Sequence, residues 1–253
     1  MKKEKIYSQS NNRPDEGDVA FFAQYRDLCK ITPEGILFIY PESEQTYKNV
    51  PIIKKQKIDT DNVKYIGFQN TRLHDVRMSS NKTVGFFLYD SKFEHICERP
   101  WDYYNRLGQY KQVMSPDLSC FSDMSIAEQW MSVFRSRLVG AYWQYCGLTV
   151  IPTITWSNSN SFSFCFSGLE KGSVVAVSTI GTSAVKEIYM AGYREMCRVI
   201  KPEVVICYCN PYLEMRRYAD VIEAEHEAHI ARRKARFRPL PGQITFYDLC
   251  DNF

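Results

Sequence analysis

The stretch that decides the fold runs from Gln112 to Gly181 and contains QVMSPD (112–117), SIAEQWMSVFRSRLVGAYWQYC (125–146), LTVIPTITW (148–156), SFSFCFSGL (161–169) and SVVAVSTIG (173–181). The first, third and fifth of these segments predict strands, and the second and fourth predict helices. Strands that alternate with helices imply parallel βα units, so the stretch indicates an α/β protein.

Further strands are expected on both sides of this stretch. Residues 65–70 (YIGFQN) and 83–90 (TVGFFLYD) come before it, and residues 204–209 (VVICYC) come after it. Each is a short apolar run typical of a buried parallel strand. The six candidate strands predict a small or incomplete (β/α) barrel-like parallel sheet with surrounding helices, and a doubly wound open sheet is the alternative. Both folds repeat the same unit, so periodicity does not separate them. Pro152 predicts a bulge or an early end to its strand.

The best-specified helix begins after Ser125. Ser125 and Glu128 have the S-x-x-E spacing of a capping box, and Gly147 can end the helix. The pattern predicts that one face packs on the sheet and that the charged head of Arg137 lies in solvent. The expected apolar face consists of Ile126, Trp130, Val133, Phe134, Leu138, Ala141, Tyr142 and Tyr145.

Four more helices are expected. One begins at Asp18 and extends to Cys29, one spans residues 93–110 with a break at Pro100, and a long one spans about residues 212–236. Another spans residues 182–200, with an apolar face of Val185, Ile188, Tyr189, Gly192, Met196 and Val199.

These elements divide the chain into three predicted regions. Residues 1–62 are an N-terminal extension with a short helix and a strand at 36–40. Residues 63–211 are the main α/β domain. Residues 212–253 are a long C-terminal helix with a basic end and an extended tail.

The composition excludes several classes of protein. The net charge is only +3, so any contact with nucleic acid has to come from a local patch. The nine cysteines are scattered and form no C-x-x-C pair, which favours free thiols and predicts no metal site. The N-terminus has no apolar run of a signal peptide, and no segment is long enough to cross a membrane. We therefore expect a cytoplasmic protein without membrane contact; the cofactor, if any, is unknown.

Polar side chains follow most of the predicted strands. The carboxyl ends of parallel strands meet at one edge of a sheet, where ligands bind. Asp90, Asp117 and Arg72 are the candidate catalytic residues, because two carboxylates support acid–base chemistry. Ordinary capping of the following helices is the alternative. The candidate ligand-binding residues at the same ends are Trp156, Ser178, Thr179 and Tyr208, and Ser115 also ends a strand.

The segment STIGTS (178–183) joins a predicted strand to a predicted helix. Free N–H groups at a helix start, with Gly181 and Thr182, could bind a phosphate group. The segment lacks the P-loop lysine and the G-x-G-x-x-G pattern, so helix capping is the favoured interpretation.

The C-terminal residues carry two further patterns. Five basic side chains cluster near the end of the last predicted helix and suit a nucleic-acid backbone: Arg232, Arg233, Lys234, Arg236 and Arg238. The sequence QITFY then resembles the bacterial sliding-clamp-binding pentapeptide, and its candidate contact residues are Gln243, Ile244, Phe246 and Tyr247. This resemblance implies a partner in the host sliding clamp or another replication protein. A final strand docked on the domain is the alternative.

Three segments resemble an uncharacterised family of phages, prophages and mobile elements of Gram-positive bacteria, catalogued as a domain of unknown function. They are SPDLSCF (115–121), RSRLVGAYWQYCGLTVIPTITWS (135–157) and FSFCFSGLEKGSVVAVSTIG (162–181). The resemblance implies a mobile-element origin and carries no assigned catalytic residues. Two hypotheses follow: a partner-binding accessory protein of phage DNA metabolism, or a barrel-type enzyme or nucleotide binder that uses the strand ends.

Overall fold

The computed structural model describes residues 13–39, 50–61, 63–74 and 79–226. Within these ranges the strands are β1 (Cys29–Thr32), β2 (Gly35–Phe38), β3 (Lys64–Gly67), β4 (Lys82–Gly85), β5 (Gln112–Met114), β6 (Val150–Ile151), β7 (Val175–Ser178), β8 (Val205–Tyr208), β9 (Val221–Glu223) and β10 (Glu225–His226). The α-helices are α1 (Glu16–Phe22), α2 (His95–Glu98), α3 (Tyr104–Leu107), α4 (Ile126–Tyr145), α5 (Phe162–Cys165) and α6 (Lys186–Ile200).

Eight of these strands form two parallel sheets, in the orders β10-β3-β4-β5-β6 and β7-β8-β9. The sheets meet at both edges. At one edge, an isolated parallel bridge joins Thr153 to Ala176. At the other, β9 pairs with β8 and β10 pairs with β3, and only Ala224 separates β9 from β10. The arrangement is barrel-like but incomplete, as predicted.

Pro152 explains why the ladder is interrupted. It has no N–H to donate, so β6 ends at Ile151, and the Pro152 carbonyl instead accepts a hydrogen bond from the Ala176 N–H at 2.9 Å. The predicted early end of pairing at this proline is therefore confirmed.

Alternate residues of the strands face two different cores, as the two-residue period of a strand requires. One set packs together on the inner face of the sheets: Tyr65, Phe87, Met114, Ile151, Ala176, Ile206 and Ala224. The other set packs with the helices in the larger core: Ile66, Val84, Val113, Val150, Val175, Val177, Val205 and Cys207. Burial on both faces explains why the strand sequences are continuously apolar.

Helix α4 is the central helix of the larger core, and its capping box is present as predicted. The Ser125 hydroxyl accepts from the Glu128 N–H at 3.2 Å, and the Glu128 carboxylate accepts from the Ser125 N–H at 2.8 Å. Its middle turns are buried, with Trp130 stacked on Phe134 at a centroid distance of 5.3 Å. The predicted face is wrong at its two ends, because Ile126 and Tyr145 are exposed.

The prediction that the head of Arg137 lies in solvent is also wrong. Arg137 is only 1% exposed, and its guanidinium donates to three main-chain carbonyls. Those carbonyls belong to Thr153, just after β6, and to Cys165 and Ser167, at and just after the end of α5. A long-range requirement of this kind is invisible in the periodicity of the helix.

The N-terminal residues differ from the prediction in their helix limits. Asp15, not Asp18, caps α1, and Asp18 occupies the third position of a reciprocal capping box. The helix ends at Phe22, and the chain then forms the antiparallel pair β1–β2. The Asp18 carboxylate accepts a hydrogen bond from the Tyr142 hydroxyl at 2.9 Å, which joins this segment to α4.

Helix α6 buries a face shifted by one residue from the predicted one. Val185 and Ile188 are exposed, whereas Tyr193 and Ile200 join Tyr189 in the core. The region of residues 93–110 is divided into α2, a turn at Pro100–Tyr103 and α3, so the predicted break at Pro100 is confirmed.

The predicted long helix from residue 212 is wrong in its described part. Residues Leu213–Arg217 form a 3-10 turn, and β9 and β10 follow. The Glu- and Ala-rich sequence favours a helix locally, but pairing with β8 and β3 overrides that preference. No helix in the described ranges is long and apolar enough to cross a bilayer.

Candidate functional site

The parallel strands present their carboxyl ends at one face, which we call the mouth and define by Tyr65, Phe87, Asp90, Asp117 and Tyr208. Asp90 follows β4, Asp117 follows β5, and Tyr208 ends β8. Loops that follow parallel strands are the usual position of ligand-binding and catalytic groups in such folds. The structure therefore brings together three of the residues that the sequence singled out.

Asp117 has the most unusual environment in the mouth. It is half-buried, and among the described residues no group donates a hydrogen bond to its carboxylate. Burial raises its pKa to about 8, and the negative charge of Asp90 raises it further in the same direction. Because an unpaired carboxylate is costly to bury, Asp117 holds its proton near neutral pH.

Asp90 is held in place by the loop that carries Asp117. Its carboxylate accepts hydrogen bonds from both the N–H and the hydroxyl of Ser119, each at 3.0 Å. Ser119 lies two residues after Asp117, so this contact ties Asp90 to the loop that carries Asp117. The two acids are thus close but unlike: Asp90 is hydrogen-bonded and Asp117 is not.

Three aromatic rings line the same end of the inner face. The ring centroids of Tyr65 and Tyr208 lie 4.3 Å apart, and those of Phe87 and Tyr208 lie 5.1 Å apart with nearly parallel planes. The Tyr65 hydroxyl accepts a hydrogen bond from the Phe87 N–H at 3.2 Å. Burial and the neighbouring Tyr208 raise the pKa of Tyr65, so it stays a neutral phenol. The ring of Tyr65 fits only because position 85 is glycine, whose missing Cβ would overlap it.

The polar side chains of the loop from β7 to α6 form hydrogen bonds within that loop and with residues 210–212. The Ser178 hydroxyl accepts from the Ile180 N–H, and the Thr179 hydroxyl donates to the Asn210 carbonyl at 3.0 Å. The Thr182 hydroxyl lies 2.8 Å from the Thr179 carbonyl and 2.8 Å from the Tyr212 hydroxyl. Gly181 has a left-handed backbone with φ of 71° and open space around it. These bonds stabilise the turn and occupy the hydroxyls of Ser178, Thr179 and Thr182. The structure therefore adds no support to the phosphate-binding hypothesis.

Trp156 lies beside Tyr189, which the sequence predicted only as part of an apolar helix face. Its ring packs 5.0 Å from Tyr189, over the surface left open by Gly192. Tyr189 is buried, and its hydroxyl has no hydrogen-bond partner within the described ranges. Burial raises its pKa, and the charge of Asp117 adds a smaller contribution. Tyr189 was predicted as a core residue only, because helical periodicity does not show where a hydroxyl points.

Two other candidates from the sequence, Arg72 and Ser115, do not contribute side chains to the mouth. Arg72 is exposed, and its contacts are made by its main chain, to the Tyr110 hydroxyl and the Gln109 amide. Ser115 is buried against α4, where its hydroxyl lies 3.1 Å from that of Ser136 and accepts from the Thr153 N–H. Ser115 therefore has a structural position between β5, β6 and α4.

The remaining sequence candidates lie outside the described residues: Arg232, Arg233, Lys234, Arg236, Arg238, Gln243, Ile244, Phe246 and Tyr247. Within the described ranges, no group of three or more His, Cys, Asp or Glu side chains is arranged to hold a metal ion.

Comparison with known proteins shows the family of this chain. Residues 42–225 match the family model described as "Domain of unknown function (DUF4417)". Two curated relatives are each called "Gene 1 protein". The one from Mycobacterium phage L5 is 35% identical over 57% of this chain and 65% of its own length. The one from Mycobacterium phage D29 is 34% identical over 51% of this chain and 49% of its own length.

The matched segments thus span less than two thirds of either relative. No solved structure matches the chain. The family model covers all of residues 63–211, including every residue of the mouth. The chain therefore belongs to the domain-of-unknown-function family DUF4417, which has members encoded by phages, as its sequence segments predicted.

Proposed function

We propose that the mouth is a ligand-binding site in which Asp117 acts as a general acid–base group, which makes the protein a barrel-type enzyme for a proton-transfer step. The observation that carries the proposal is the half-buried Asp117 carboxyl, which has no hydrogen-bond donor and a pKa raised to about 8. A group with a pKa near the working pH is present in both its protonated and ionised forms, as acid–base catalysis requires. Strongly shifted pKa values cluster at functional sites.

The surroundings of Asp117 support a role in binding rather than in folding. A carboxylate kept for stability normally accepts hydrogen bonds, as Asp90 does from Ser119 and Asp18 does from Tyr142. The unpartnered hydroxyl of Tyr189 lies close enough to interact electrostatically with Asp117. A ligand with polar groups would satisfy both, and the rings of Phe87 and Tyr208 would pack against its apolar part.

A thermal-shift screen of the purified protein against nucleosides, nucleotides, sugar phosphates and amino acids tests this proposal. A compound that raises the melting temperature of the wild type should lose that effect in Asp117→Asn. It should keep the effect in Asp123→Asn, which changes an exposed carboxylate outside the mouth. Equal shifts for wild type and Asp117→Asn would place the binding elsewhere and contradict the proposal.

We also propose a second function, a tether to the host replication machinery, which rests on the C-terminal sequence. The pentapeptide at residues 243–247 supports it, as do the basic residues at 232–238 and the phage relatives of the family. In the tether, Ile244, Phe246 and Tyr247 would anchor in an apolar groove of the sliding clamp, and the basic residues would lie near its DNA. This would make the protein an accessory factor of phage DNA metabolism.

A titration of purified clamp tests the tether directly. Wild type should bind at micromolar concentrations, and a variant with Gln243, Phe246 and Tyr247 changed to Ala should not. Asp117→Asn should bind the clamp as wild type does, so the two proposals fail or succeed separately. Equal binding by wild type and the triple variant, or no binding by wild type, would rule out the tether.

A further inference from the structure

A cleft lies between the start of α6 and the 3-10 turn that follows β8, and none of its lining residues belongs to the mouth. Its volume is about 500 Å³, which is within the range of small-molecule binding sites. The lining residues are Lys186, Pro211, Tyr212, Leu213, Glu214 and Arg217. The sequence singled out none of these six as a candidate site residue, so the cleft is a site that only the folded chain assembles.

Contacts between the two walls hold the cleft in shape. The Tyr212 hydroxyl lies 2.8 Å from the Thr182 hydroxyl, and the Tyr212 ring meets that of Tyr189 edge-on at a centroid distance of 5.8 Å. The Nζ of Lys186 lies 2.7 Å from Oε1 of Glu214 and 4.8 Å from the centre of the Tyr212 ring. These contacts join the loop after β7 and the start of α6 to the turn after β8. A site formed in this way exists before a ligand arrives.

One part of the cleft surface is apolar. The Leu213 side chain is 82% exposed, which is unusual for a leucine at the edge of a cleft, and Pro211 and the Tyr212 ring are half-buried beside it in the chain. Covering such a surface with the apolar body of a ligand removes it from water and is favourable. The aromatic face of Tyr212 also suits a flat ring.

The charged groups of the cleft are two cations and one carboxylate, so their sum is positive. Lys186 and Glu214 form an ion pair with each other. The guanidinium of Arg217 is exposed and forms no hydrogen bond or ion pair with any other described residue. A guanidinium binds two oxygens of a carboxylate or a phosphate at once, because its N–H groups are fixed in one plane. Charge complementarity therefore favours an anionic ligand.

We propose that this cleft binds a small ligand that combines an oxyanion with a flat or apolar body. The oxyanion contacts the guanidinium of Arg217 on the side of Lys186, and the body packs on Tyr212 and Leu213. Phosphate monoesters and carboxylates share this chemistry. The groups that bind the anion are cations beyond the turn at residues 178–183, and not the hydroxyls of that turn, which are occupied.

Glu214 has the opposite effect on such a ligand. Its carboxylate repels an oxyanion and competes with it for Lys186, which lies 2.7 Å away. The cleft therefore predicts effects of opposite sign on anion affinity when Arg217 and Glu214 are each neutralised. A surface that attracts anions only through the net charge of the protein does not predict a dependence on these two positions.

Titration of the ¹⁵N-labelled, full-length protein with phenyl phosphate, benzoate and benzyl alcohol tests the proposal by NMR. All three compounds carry a phenyl ring, but only the first two carry an oxyanion at neutral pH. We expect both anions to shift the resonances of residues 186 and 212–217, with the roughly millimolar Kd of a ligand of about ten non-hydrogen atoms. Benzyl alcohol should bind about tenfold more weakly, because it lacks the charge-assisted hydrogen bonds. The tighter of the two anions identifies the ligand as a phosphate monoester or a carboxylate.

Two variants test the roles of the charged groups. Arg217→Ala should weaken binding of both anions by about tenfold, because it removes the charged donor. Glu214→Gln should tighten binding several-fold, because it removes the repulsion and releases Lys186. Arg198→Ala removes an exposed arginine near the other end of α6 and should keep the affinity of wild type. Asp117→Asn should also keep it, which separates this cleft from the mouth.

Circular dichroism of each variant establishes that it is folded before its affinity is compared. Anion affinity that is unchanged in Arg217→Ala, or weakened in Glu214→Gln, would overturn the proposal. Equal affinities for benzyl alcohol and the two anions, or no shift at residues 186 and 212–217 with either anion, would also overturn it.

Discussion

Arg137 and Asp117 are both ionisable side chains removed from water, but their surroundings differ. The region around Arg137, between α4, α5 and the end of β6, supplies three carbonyl acceptors within 3.1 Å of its guanidinium. The mouth supplies no hydrogen-bond donor to Asp117 from any described residue, and it places Asp90 nearby. Arg137 stays ionised in spite of burial, whereas Asp117 stays protonated because of it.

This difference separates a charge that stabilises the fold from an acid for which we propose a role in binding. A buried charge with every hydrogen bond made holds neighbouring backbone segments together, and its loss leaves their carbonyls unsatisfied. A buried acid without partners destabilises the fold when it ionises, which is why we propose a role for Asp117 in binding and not in folding. The predictions below test the two sides of this comparison, beginning with the largest effect.

Removing the satisfied charge should have the largest effect. Arg137→Ala should lower the free energy of unfolding by about 3–5 kcal/mol, because three carbonyls lose their donor and a large side chain leaves a cavity. Urea denaturation at neutral pH measures the change. The matched control is Arg198→Ala, which removes an exposed arginine paired with Glu195 and should leave stability nearly unchanged. Similar losses for both variants would remove the distinction.

Replacing Asp117 should raise the free energy of unfolding, whereas replacing Arg137 should lower it. The pKa of Asp117 is about 8 in the folded protein and about 3.9 when unfolded, so only the unfolded chain ionises easily between these values. Wild-type stability therefore falls as pH rises through this window. Between about pH 5 and pH 8, the free energy of unfolding of Asp117→Asn should fall by about 2–3 kcal/mol less than that of wild type. This figure is smaller than the full pKa difference implies, because Asp117 keeps some contact with water.

Denaturation of both proteins at several pH values measures this difference. The gain of the variant over wild type should grow with pH and level off above the folded pKa. A constant difference between the two proteins at all pH values would show that Asp117 does not titrate in this window.

Changing the packing beneath the mouth should have an intermediate effect. Gly85→Ala should cost about 1–3 kcal/mol, because a Cβ there overlaps the Tyr65 ring and forces it to move. Gly67→Ala is the control, since its nearest neighbours would lie 3.9 Å from the added carbon and its backbone is ordinary. Thermal unfolding compares them, and equal melting temperatures would contradict the described position of Tyr65.

Removing the neighbouring charge should have the smallest effect. Asp90→Asn should lower the pKa of Asp117, because the charge of Asp90 is the second cause of its shift after burial. The pH at which stability declines should therefore move to a lower value, by less than the part of the pKa shift that burial causes. Asp123→Asn should leave that pH unchanged. A shift to higher pH in Asp90→Asn would contradict the arrangement of the two acids.

The sequence predicted those features that depend on neighbours along the chain. Alternation of strands and helices gave the α/β class, the capping box at Ser125 fixed the start of α4, and Pro152 marked the end of β6. The proximity of Asp90 and Asp117 was predicted because strand ends share one face in a parallel sheet.

Features that depend on distant segments were missed. Arg137 is buried because of carbonyls that lie 16, 28 and 30 positions away, and no helical pattern shows them. The sequence from residue 221 to 226 favours a helix, yet it forms strands because β8 and β3 offer open edges on either side. The unpartnered hydroxyl of Tyr189 depends on tertiary packing in the same way.

The measurement that tests the central claim most directly is the pKa of Asp117 itself. The carboxyl carbons of aspartate can be labelled with ¹³C and titrated by NMR, and the resonance absent from Asp117→Asn identifies the residue. A midpoint near pH 8 is the predicted result, since it would show an acid kept protonated by its surroundings. A midpoint near pH 4, about the value of an unperturbed aspartate, would contradict it and leave Asp117 an ordinary surface carboxylate.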